Sequence, residues 1–565
     1  MRTASSMCGS EAEGGYLPLH WPLYADLEGR FWYHDSVHFG DKPLHPLDYS
    51  FTIMLMDFAQ SAYYRRIFAM PTSGGRASVI YMGRPYRTSF QERPHFRPEV
   101  FEERLRHYLE HWDEIYHRWK KEVLKIIEEI ESLEFPLPPD VDAAPDGSGY
   151  PAAHKPLASW LRLLDLWLRL WWRHYEMLML GYLVYDFFYK FCKAHFPDMP
   201  DYHVSLMLSG GRELDVSIPE KELRRLAKLA KELGVAHLLQ SAQTFAEAAE
   251  ALRGAGEAGR TWLAEWERAK RHFHVSAGSG MLHTDLRWDE HPDIPFTILK
   301  TYLAGGDTKK RGVDPERLVA GYASLLDEES RALFYKYLEA ARRVYPYIEE
   351  HSFYVENWGF SAGYKKVREA GALLQKLGVL EDAEDVWYLN WFEVGQVMIE
   401  GLTAWASGRE PTGHWRGVVE CRKAAWRRWA ESAPPPHLGR PPEKITDSNL
   451  AMLHRVAAAS DSIAGVGASP GVAEGVVAVV REPSDFSKVR PGVVLVAPTL
   501  SPVMGPLLSV ASAVVTDSGG VMSHAAILAR EYGIPAVVGA GNATARLRDG
   551  MRVRVDGTRG VVEVL

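Results

Sequence analysis

The strongest chemical signal in the sequence is a glycine turn that leads into a short helix carrying a histidine. Gly519 and Gly520 follow a valine-rich segment that ends at Asp517. Adjacent glycines let the backbone turn sharply and approach a ligand closely. The helix that follows presents unpaired N–H groups and the positive end of its dipole, which together favour an anion. Hydroxyl donors for the oxygens of a phosphoryl group are present at Thr516, Ser518 and Ser523.

His524 lies in the first turn of this helix. A protonated imidazole is disfavoured beside the positive helix end, so the ring is expected to be neutral and to keep a nitrogen lone pair. A neutral imidazole beside an anion site suits nucleophilic attack on phosphorus and storage of the phosphoryl group. The same pattern also fits a simple glycine turn in which His524 only caps the helix, and the residues by themselves leave both interpretations open.

A second group of polar residues lies near the start of the chain, in Phe31–Phe51. Transfer of a phosphoryl group from a histidine to a hydroxyl requires positioning and a base for the hydroxyl proton. The candidates for substrate binding in this stretch are His34, Asp35, His38 and His45. The alternative is a proline-rich loop whose polar side chains cap neighbouring helices, and both interpretations stay open.

Two other stretches add substrate-binding candidates. Arg173 and His174 lie on a predicted helix over 157–191, whose charges repeat every three or four residues along one stripe. This stripe either lines a polar cleft or faces solvent. His283 lies in a polar segment shortly before Trp288. We predict no metal site in this chain.

The chain changes character near Trp429. Beyond it only two aromatic residues remain, Phe486 and Tyr532, whereas aromatic residues are abundant before it. The first part has the three- and four-residue apolar spacing of helices, and the last part has short, glycine-bounded valine runs typical of strands. Prolines in Glu431–Pro442 indicate an extended spacer. We therefore predict a mainly α-helical domain over 1–430, a linker over 431–462 and a small α/β domain over 463–565.

Composition excludes several classes of function. The 65 Lys and Arg residues against 73 Asp and Glu residues give a net charge of −8, without the polybasic character of nucleic-acid or membrane binding. The longest uncharged apolar run, Met177–Tyr185, is far shorter than the roughly 20 residues of a membrane span. Three widely separated cysteines form neither a disulfide framework nor a zinc site. We expect a cytoplasmic protein that binds neither nucleic acid nor membranes.

The segment TDSGGVMSHAAILAREYGIPAVVG at 516–539 resembles the phosphohistidine motif of the phosphoenolpyruvate-utilising enzymes. That family includes phosphoenolpyruvate synthase, pyruvate phosphate dikinase and the rifampin phosphotransferases. GVGASPGVAEGVV at 465–477 and the stretch 543–564 resemble further parts of the same domain. The resemblance implies a swivelling β/β/α domain in which His524 becomes phosphorylated. Ser523 stands where several relatives have cysteine, a change within the family's pattern.

The helical region resembles the acceptor domains of rifampin phosphotransferases and of phenylphosphate-synthase-type proteins. In these relatives a Gly-His-Arg-like segment often precedes the tryptophan that corresponds to Trp288. Gly280 and His283 match that segment only loosely. The resemblance rests on 202–211, on 367–394, on Asp285, Trp288, Glu290 and Pro292, and on Asp35, His38, Phe39, Pro43 and Pro46.

The same resemblance predicts how the phosphoryl group is supplied. We find neither a GxxxxGK[ST] loop nor a candidate for the family's ATP-grasp domain or pyruvate-binding barrel. The family resemblance therefore implies a separate ATP-grasp chain that binds ATP and Mg²⁺. It also implies that the acceptor is a small, phenolic or aromatic hydroxyl compound. The alternatives are a phosphocarrier or regulatory protein that passes the group to another protein, phosphotransfer to an antibiotic hydroxyl, and a scaffold that has lost its activity.

Overall fold

The computed structural model describes residues 31–35, 39–40, 42–69, 76–89, 97–138, 154–208, 214–276, 280–304, 314–345, 347–435, 437–439, 463–500, 504–521 and 523–565. The chain forms two compact units. Unit 1 comprises Met1–Glu176, Met281–His283 and Tyr354–Lys444, and unit 2 comprises Met177–Gly280, Thr284–Phe353 and Ile445–Leu565. The predicted 463–565 domain lies in unit 2 with part of the helical region. Most of the predicted linker 431–462 lies outside the described residues.

The region before the linker is mainly helical, which confirms the predicted fold class. The described residues form these helices, in chain order: α1 (Pro46–Asp48), α2 (Met54–Ala62), α3 (Pro98–Glu110), α4 (Trp112–Glu131), α5 (Lys155–His195), α6 (Asp201–Leu208), α7 (Ile218–Glu232), α8 (Ala236–Ser241), α9 (Phe245–Gly254), α10 (Gly256–Lys270), α11 (Asp293–Leu303), α12 (Pro315–Ala323), α13 (Glu328–Val344), α14 (Tyr347–His351), α15 (Phe360–Lys376), α16 (Trp391–Ser407), α17 (His414–Ala430), α18 (Gly505–Leu508), α19 (His524–Tyr532) and α20 (Ala543–Arg546). Short π-helical turns lie at Tyr49–Ile53, Tyr63–Ile67 and Ser352–Gly359, and 3₁₀ turns at Asp215–Ser217, Ala383–Tyr388 and Pro483–Lys488. Of the helices in the described ranges, none combines the length and apolar character that crossing a bilayer requires.

Unit 1 also contains a small sheet that the sequence analysis did not predict. Its antiparallel strands β1 (Trp32–His34), β2 (Arg76–Tyr81), β3 (Arg84–Ser89) and β4 (His437–Leu438) have the order β2-β3-β1-β4. The turn between β2 and β3 has positive φ at Met82 and at Gly83, as hairpin turns of type I′ do. Arginine and serine in both strands, and proline in β3, hide the alternating pattern by which a half-buried strand is usually predicted.

Unit 2 ends in the predicted α/β domain. Its strands are β5 (Ile463–Ala464), β6 (Val466–Ser469), β7 (Val472–Val479), β8 (Val494–Ala497), β9 (Ala513–Thr516), β10 (Ala536–Val538), β11 (Arg552–Asp556) and β12 (Val561–Val564). They form one sheet in the order β5-β12-β11-β7-β8-β9-β10-β6. Strands β7 to β10 are parallel neighbours. The residues of β8, β9 and β10 are all buried, which explains their continuous apolar runs, because parallel strands are covered on both faces.

Candidate active site

The loop from β9 to α19 has a backbone conformation that requires glycine. Gly519 has a φ of +117°, a region that other residues rarely adopt. A Cβ atom added there would lie 2.8 Å from Oγ of Ser523. Gly519 is therefore needed both for its dihedral angle and for the close approach of the residue that precedes α19.

Asp517 fixes this loop to the rest of the domain. Its carboxylate accepts hydrogen bonds from the backbone N–H of Thr544, at 2.9 Å, and from the Thr544 hydroxyl. The N–H of Ser518 donates to the Pro498 carbonyl at 3.0 Å. This role of Asp517 is not visible in the sequence, because its partner Thr544 lies 27 residues further along the chain.

Two of the three predicted hydroxyl donors bind carbonyls of the loop itself. Thr516, which is fully buried, donates from Oγ1 to the Ser518 carbonyl at 2.8 Å. Ser523 donates from Oγ to the Gly520 carbonyl at 2.8 Å and makes no side-chain cap on α19. Both hydroxyls would have to rotate to donate to a phosphoryl oxygen, so this role of Thr516, Ser518 and Ser523 stays a prediction.

The backbone of His524 begins α19 directly after the loop, and its side chain lies outside the described part of the structure. The first N–H groups of a helix have no acceptor within the helix, so they are available to an anion. The far end of α19 closes on Gly533, in the left-handed conformation. There Arg530 donates to the Ala468 carbonyl at 2.9 Å, and Tyr532 donates to the Glu220 carboxylate at 2.8 Å.

The acceptor candidates near the start of the chain occupy different environments. Asp35 is fully buried and forms an ion pair with Arg87, 2.9 Å between Oδ2 and Nη1. His34 stacks on Tyr86 in the small sheet of unit 1, at 5.3 Å between ring centres. His38 lies outside the described residues. The ion pair with Arg87 is enough to explain why the Asp35 carboxylate is buried, and no bound substrate is needed to explain it.

The predicted charge stripe of α5 forms ion pairs along one side of the helix. Arg173 is partly exposed and binds Glu122, at 2.6 Å, and Glu176. His174 is buried instead, and its Nδ1 lies 3.4 Å from a carboxylate oxygen of Glu356. Arg173 therefore lies at the partly exposed side of α5, whereas His174 lies at its buried side.

His283 belongs to a compact polar cluster in unit 1. Its Nδ1 lies 2.7 Å from Oδ2 of Asp48, and its ring stacks on Trp387 with 3.8 Å between ring centres. His45 lies beside it, at 4.7 Å between the imidazole centres, and its Nδ1 is 3.8 Å from Oδ2 of Asp48. Asp48 is not among the residues predicted from the sequence, although its position three residues after His45, on the first turn of α1, is a usable signal. The three polar groups lie close enough together to hold a metal ion, whereas no metal site was predicted.

Comparison with known proteins identifies the C-terminal segment. Residues 489–560 match the family model of the PEP-utilising enzyme mobile domain, and the matched range includes the glycine turn and His524. Residues 463–565 are therefore similar to the mobile domain of PEP-utilising enzymes. The resemblance inferred from the sequence is thereby confirmed for this part of the chain.

Three curated relatives are similar to parts of the chain that differ in length. The uncharacterized phosphotransferase YvkC of Bacillus subtilis is 30% identical over 292 residues, 49% of this chain and 33% of that protein. The rifampicin phosphotransferase of Streptomyces sviceus is 35% identical over 203 residues, 36% of this chain and 22% of that protein. The phosphoenolpyruvate synthase of Pyrococcus furiosus is 52% identical over 98 residues, 17% of this chain and 12% of that protein. The matched part of the chain thus spans a third or less of each of these relatives.

His45 gives the cluster a measurable pH dependence. Burial, with a smaller effect of His283, lowers the pKa of His45 from 6.5 to about 4, against the opposing effect of Asp48. Between these values the unfolded chain binds a proton that the folded chain does not, so the free energy of unfolding falls as the pH drops below 6.5. Between pH 7 and pH 5 the protonation of His45 in the unfolded chain lowers the free energy of unfolding by about 2 kcal/mol.

Urea unfolding at both pH values should show this loss in the wild type and a smaller loss in His45→Gln. An equal loss in both proteins would contradict the assignment, and replacement of the exposed His237 serves as the control.

Proposed function

We propose that this chain is a subunit of a phosphotransferase that carries a phosphoryl group on His524 from ATP to the hydroxyl of a small acceptor. The observation that carries this proposal is the position of His524 at the start of α19, four residues after Gly520, in a domain similar to the mobile domain of PEP-utilising enzymes. An imidazole nitrogen of His524 attacks phosphorus, and the first N–H groups of α19 hold the phosphoryl oxygens. The acceptor hydroxyl then displaces the imidazole, which restores free His524.

The extent of the similarity supports an acceptor function in the helical region. The matches to YvkC and to the rifampicin phosphotransferase cover 49% and 36% of this chain, more than the 463–565 domain alone. Both therefore include part of the helical region. A mobile domain that only passed its phosphoryl group to another protein would not require this additional likeness to phosphotransferases.

The proposed phosphoryl donor is ATP, bound with Mg²⁺ mainly by a separate ATP-grasp chain. The family resemblance supports donation of the β-phosphate, with AMP and phosphate as products. The proposed acceptor is a phenolic or other aromatic hydroxyl compound, because an aromatic-rich helical domain suits such a ligand. The similarity to a rifampicin phosphotransferase favours an antibiotic hydroxyl as the second candidate acceptor.

The test is to locate the phosphoryl group. The full chain is incubated with Mg²⁺ and ATP labelled at the β- or the γ-phosphate, with and without a candidate ATP-grasp protein, and peptides are mapped by mass spectrometry. We expect an acid-labile label on the peptide containing His524, from the β-phosphate and only with the second protein. A label on another residue, or no label from either position, would reject the proposal. A labelled chain that forms no phosphate ester with any phenol or antibiotic, but labels another protein, would instead establish a phosphocarrier.

Gly519→Ala should slow this labelling by about 100-fold. The new methyl group would lie 2.8 Å from Oγ of Ser523 at a φ of +117°, so the loop must move, and a shift of about 1 Å at a reacting group can reduce the rate by that factor. The matched control is Gly492→Ala, since Gly492 also has positive φ, at +89°, but a Cβ there meets nothing within 4 Å. The rate of labelling is measured by quenched flow, and equal rates in the two variants would contradict the requirement for Gly519.

A further inference from the structure

The His45–Asp48–His283 cluster belongs to unit 1, whereas the proposed phosphohistidine, His524, belongs to unit 2. Asp48 is 2% exposed, and its described ion-pair partners are the two imidazoles. A carboxylate that deeply buried is costly unless a hydrogen-bonded or cationic partner compensates it. The Asp48–His283 pair therefore has the composition of an orienting carboxylate and its imidazole, the arrangement that activates hydroxyl groups in many enzymes.

The hydrogen bond determines which nitrogen of His283 is available. An ionised carboxylate can only accept, so the Nδ1 of His283 must donate at the 2.7 Å contact. A neutral ring then carries its lone pair on Nε2. Within the described residues, no group hydrogen-bonds to Nε2 of His283. Flat stacking on Trp387 and the bond from Arg368 to the His283 carbonyl, at 3.0 Å, hold the ring and its backbone in place.

Aromatic side chains surround the pair and extend towards the surface. His45 stacks on Trp426 at 5.3 Å and meets the edge of Tyr388 at 5.0 Å between ring centres. His45, Tyr388 and Trp426 are partly exposed, whereas Asp48 and His283 are buried. The cluster thus runs from a partly exposed aromatic rim to a buried proton acceptor.

Positive groups lie next to the same rings. The guanidinium of Arg368 is 6.0 Å from the centre of the Trp387 ring, and the ammonium of Lys423 is 5.9 Å from that of Tyr388. Lys423 also pairs with Asp385, at 2.7 Å, and with Glu420. Aromatic faces with nearby cations suit an aromatic compound that becomes a phosphate ester.

We infer that His283 is the proton acceptor for a hydroxyl on an aromatic acceptor, that Asp48 is its positioning residue, and that His45, Tyr388 and Trp426 bind the aromatic ring. This inference rests on the proposed function, because the reaction uses phosphorylated His524. The hydroxyl proton moves to Nε2 of His283 while the acceptor oxygen bonds to phosphorus. The N–P bond breaks, and its electron pair returns to the imidazole of His524. The carboxylate of Asp48 stabilises the resulting imidazolium of His283.

The experiment separates this step from labelling. The full chain is labelled on His524, freed of ATP and Mg²⁺ by gel filtration, and mixed with phenol, and transfer of label to phenyl phosphate is followed with and without EDTA. We expect His283→Gln to slow the transfer at least 100-fold while the labelling of His524 is unchanged. We expect Asp48→Asn to slow it as well and to change its pH profile, because an amide can donate to Nδ1 and leave the proton on Nε2. Asp48→Glu should restore part of the rate.

His274→Gln is the matched control, since His274 also lies near an aspartate, with 3.7 Å between its Nδ1 and Oδ2 of Asp289. Equal transfer rates in the wild type, His283→Gln and Asp48→Asn would overturn the inference while leaving the proposed function intact. The inference would also be overturned if EDTA abolished the transfer and the wild type, but not His283→Gln, contained a stoichiometric metal ion. The cluster would then be a metal site. If His283→Gln does not fold, the nearly isosteric Asp48→Asn decides the outcome. Absence of label on His524 in the wild type would instead reject the proposed function.

Discussion

His524→Asn is expected to abolish the acid-labile label while leaving the fold unchanged. An asparagine amide has no nucleophilic nitrogen lone pair, so it cannot form the covalent intermediate. The N–H groups at the start of α19 remain, because asparagine is tolerated in the first turn of a helix. The measurement is incorporation of β-labelled phosphate with the ATP-grasp partner present, and the expected residual signal is below one per cent of the wild type.

His414→Asn provides a control matched in position. His414 is also the first residue of a helix, α17, and follows Gly413 in the left-handed conformation. We expect full labelling in this variant. Persistence of the label in His524→Asn, or its loss in His414→Asn, would show that another residue carries the phosphoryl group.

Arg87→Met is expected to destabilise the protein by about 3–5 kcal/mol, the cost of removing one partner from a buried ion pair. The guanidinium of Arg87 is 2.9 Å from the carboxylate of Asp35 and 3.7 Å from that of Asp57, and all three side chains are largely buried. Burial raises the pKa of Asp57, and the charge of Arg87 opposes this shift. Removing the guanidinium therefore leaves two buried carboxylates without their shared counter-charge.

The loss is measured as the free energy of unfolding in urea, followed by tryptophan fluorescence. Arg253→Met is the control, because Arg253 pairs with Glu250 at the surface, where both side chains are more than half exposed. Such pairs contribute at most about 1 kcal/mol. A stable Arg87→Met variant whose only defect is a raised KM for the acceptor would show that Asp35 binds substrate, as the sequence suggested, and that its ion pair is incidental.

Local patterns in the sequence predicted much of the fold. The valine runs between glycines became β8, β9 and β10, because buried parallel strands are apolar along their whole length. The stretch Pro98–Leu133 has the three- and four-residue apolar spacing of a helix along its whole length, yet it is divided between α3 and α4 at His111, whose φ of −108° and ψ of 21° depart from helical values. Nothing in the apolar spacing of that stretch marks the break.

The acceptor candidates show the limit of sequence reasoning most clearly. The prediction for these residues rests on their residue types, which say what chemistry a side chain can perform but not what it contacts; they are His34, Asp35, Arg173, His174 and His283. Asp35 is bound to Arg87, 52 positions away, and His174 lies beside Glu356. His283 is paired with Asp48, 235 positions earlier in the chain.

The sequence by itself therefore determined the α/β domain over 463–565, its glycine turn and the position of His524 at the start of a helix. These features depend on neighbouring residues, whose dihedral preferences and apolar spacing are visible along the chain. Only the tertiary structure decided that Asp48, His283 and His45 form one cluster and that Asp35 lies in a buried ion pair. Such contacts join residues far apart in sequence, and their geometry exists only once the chain has folded and excluded water from them.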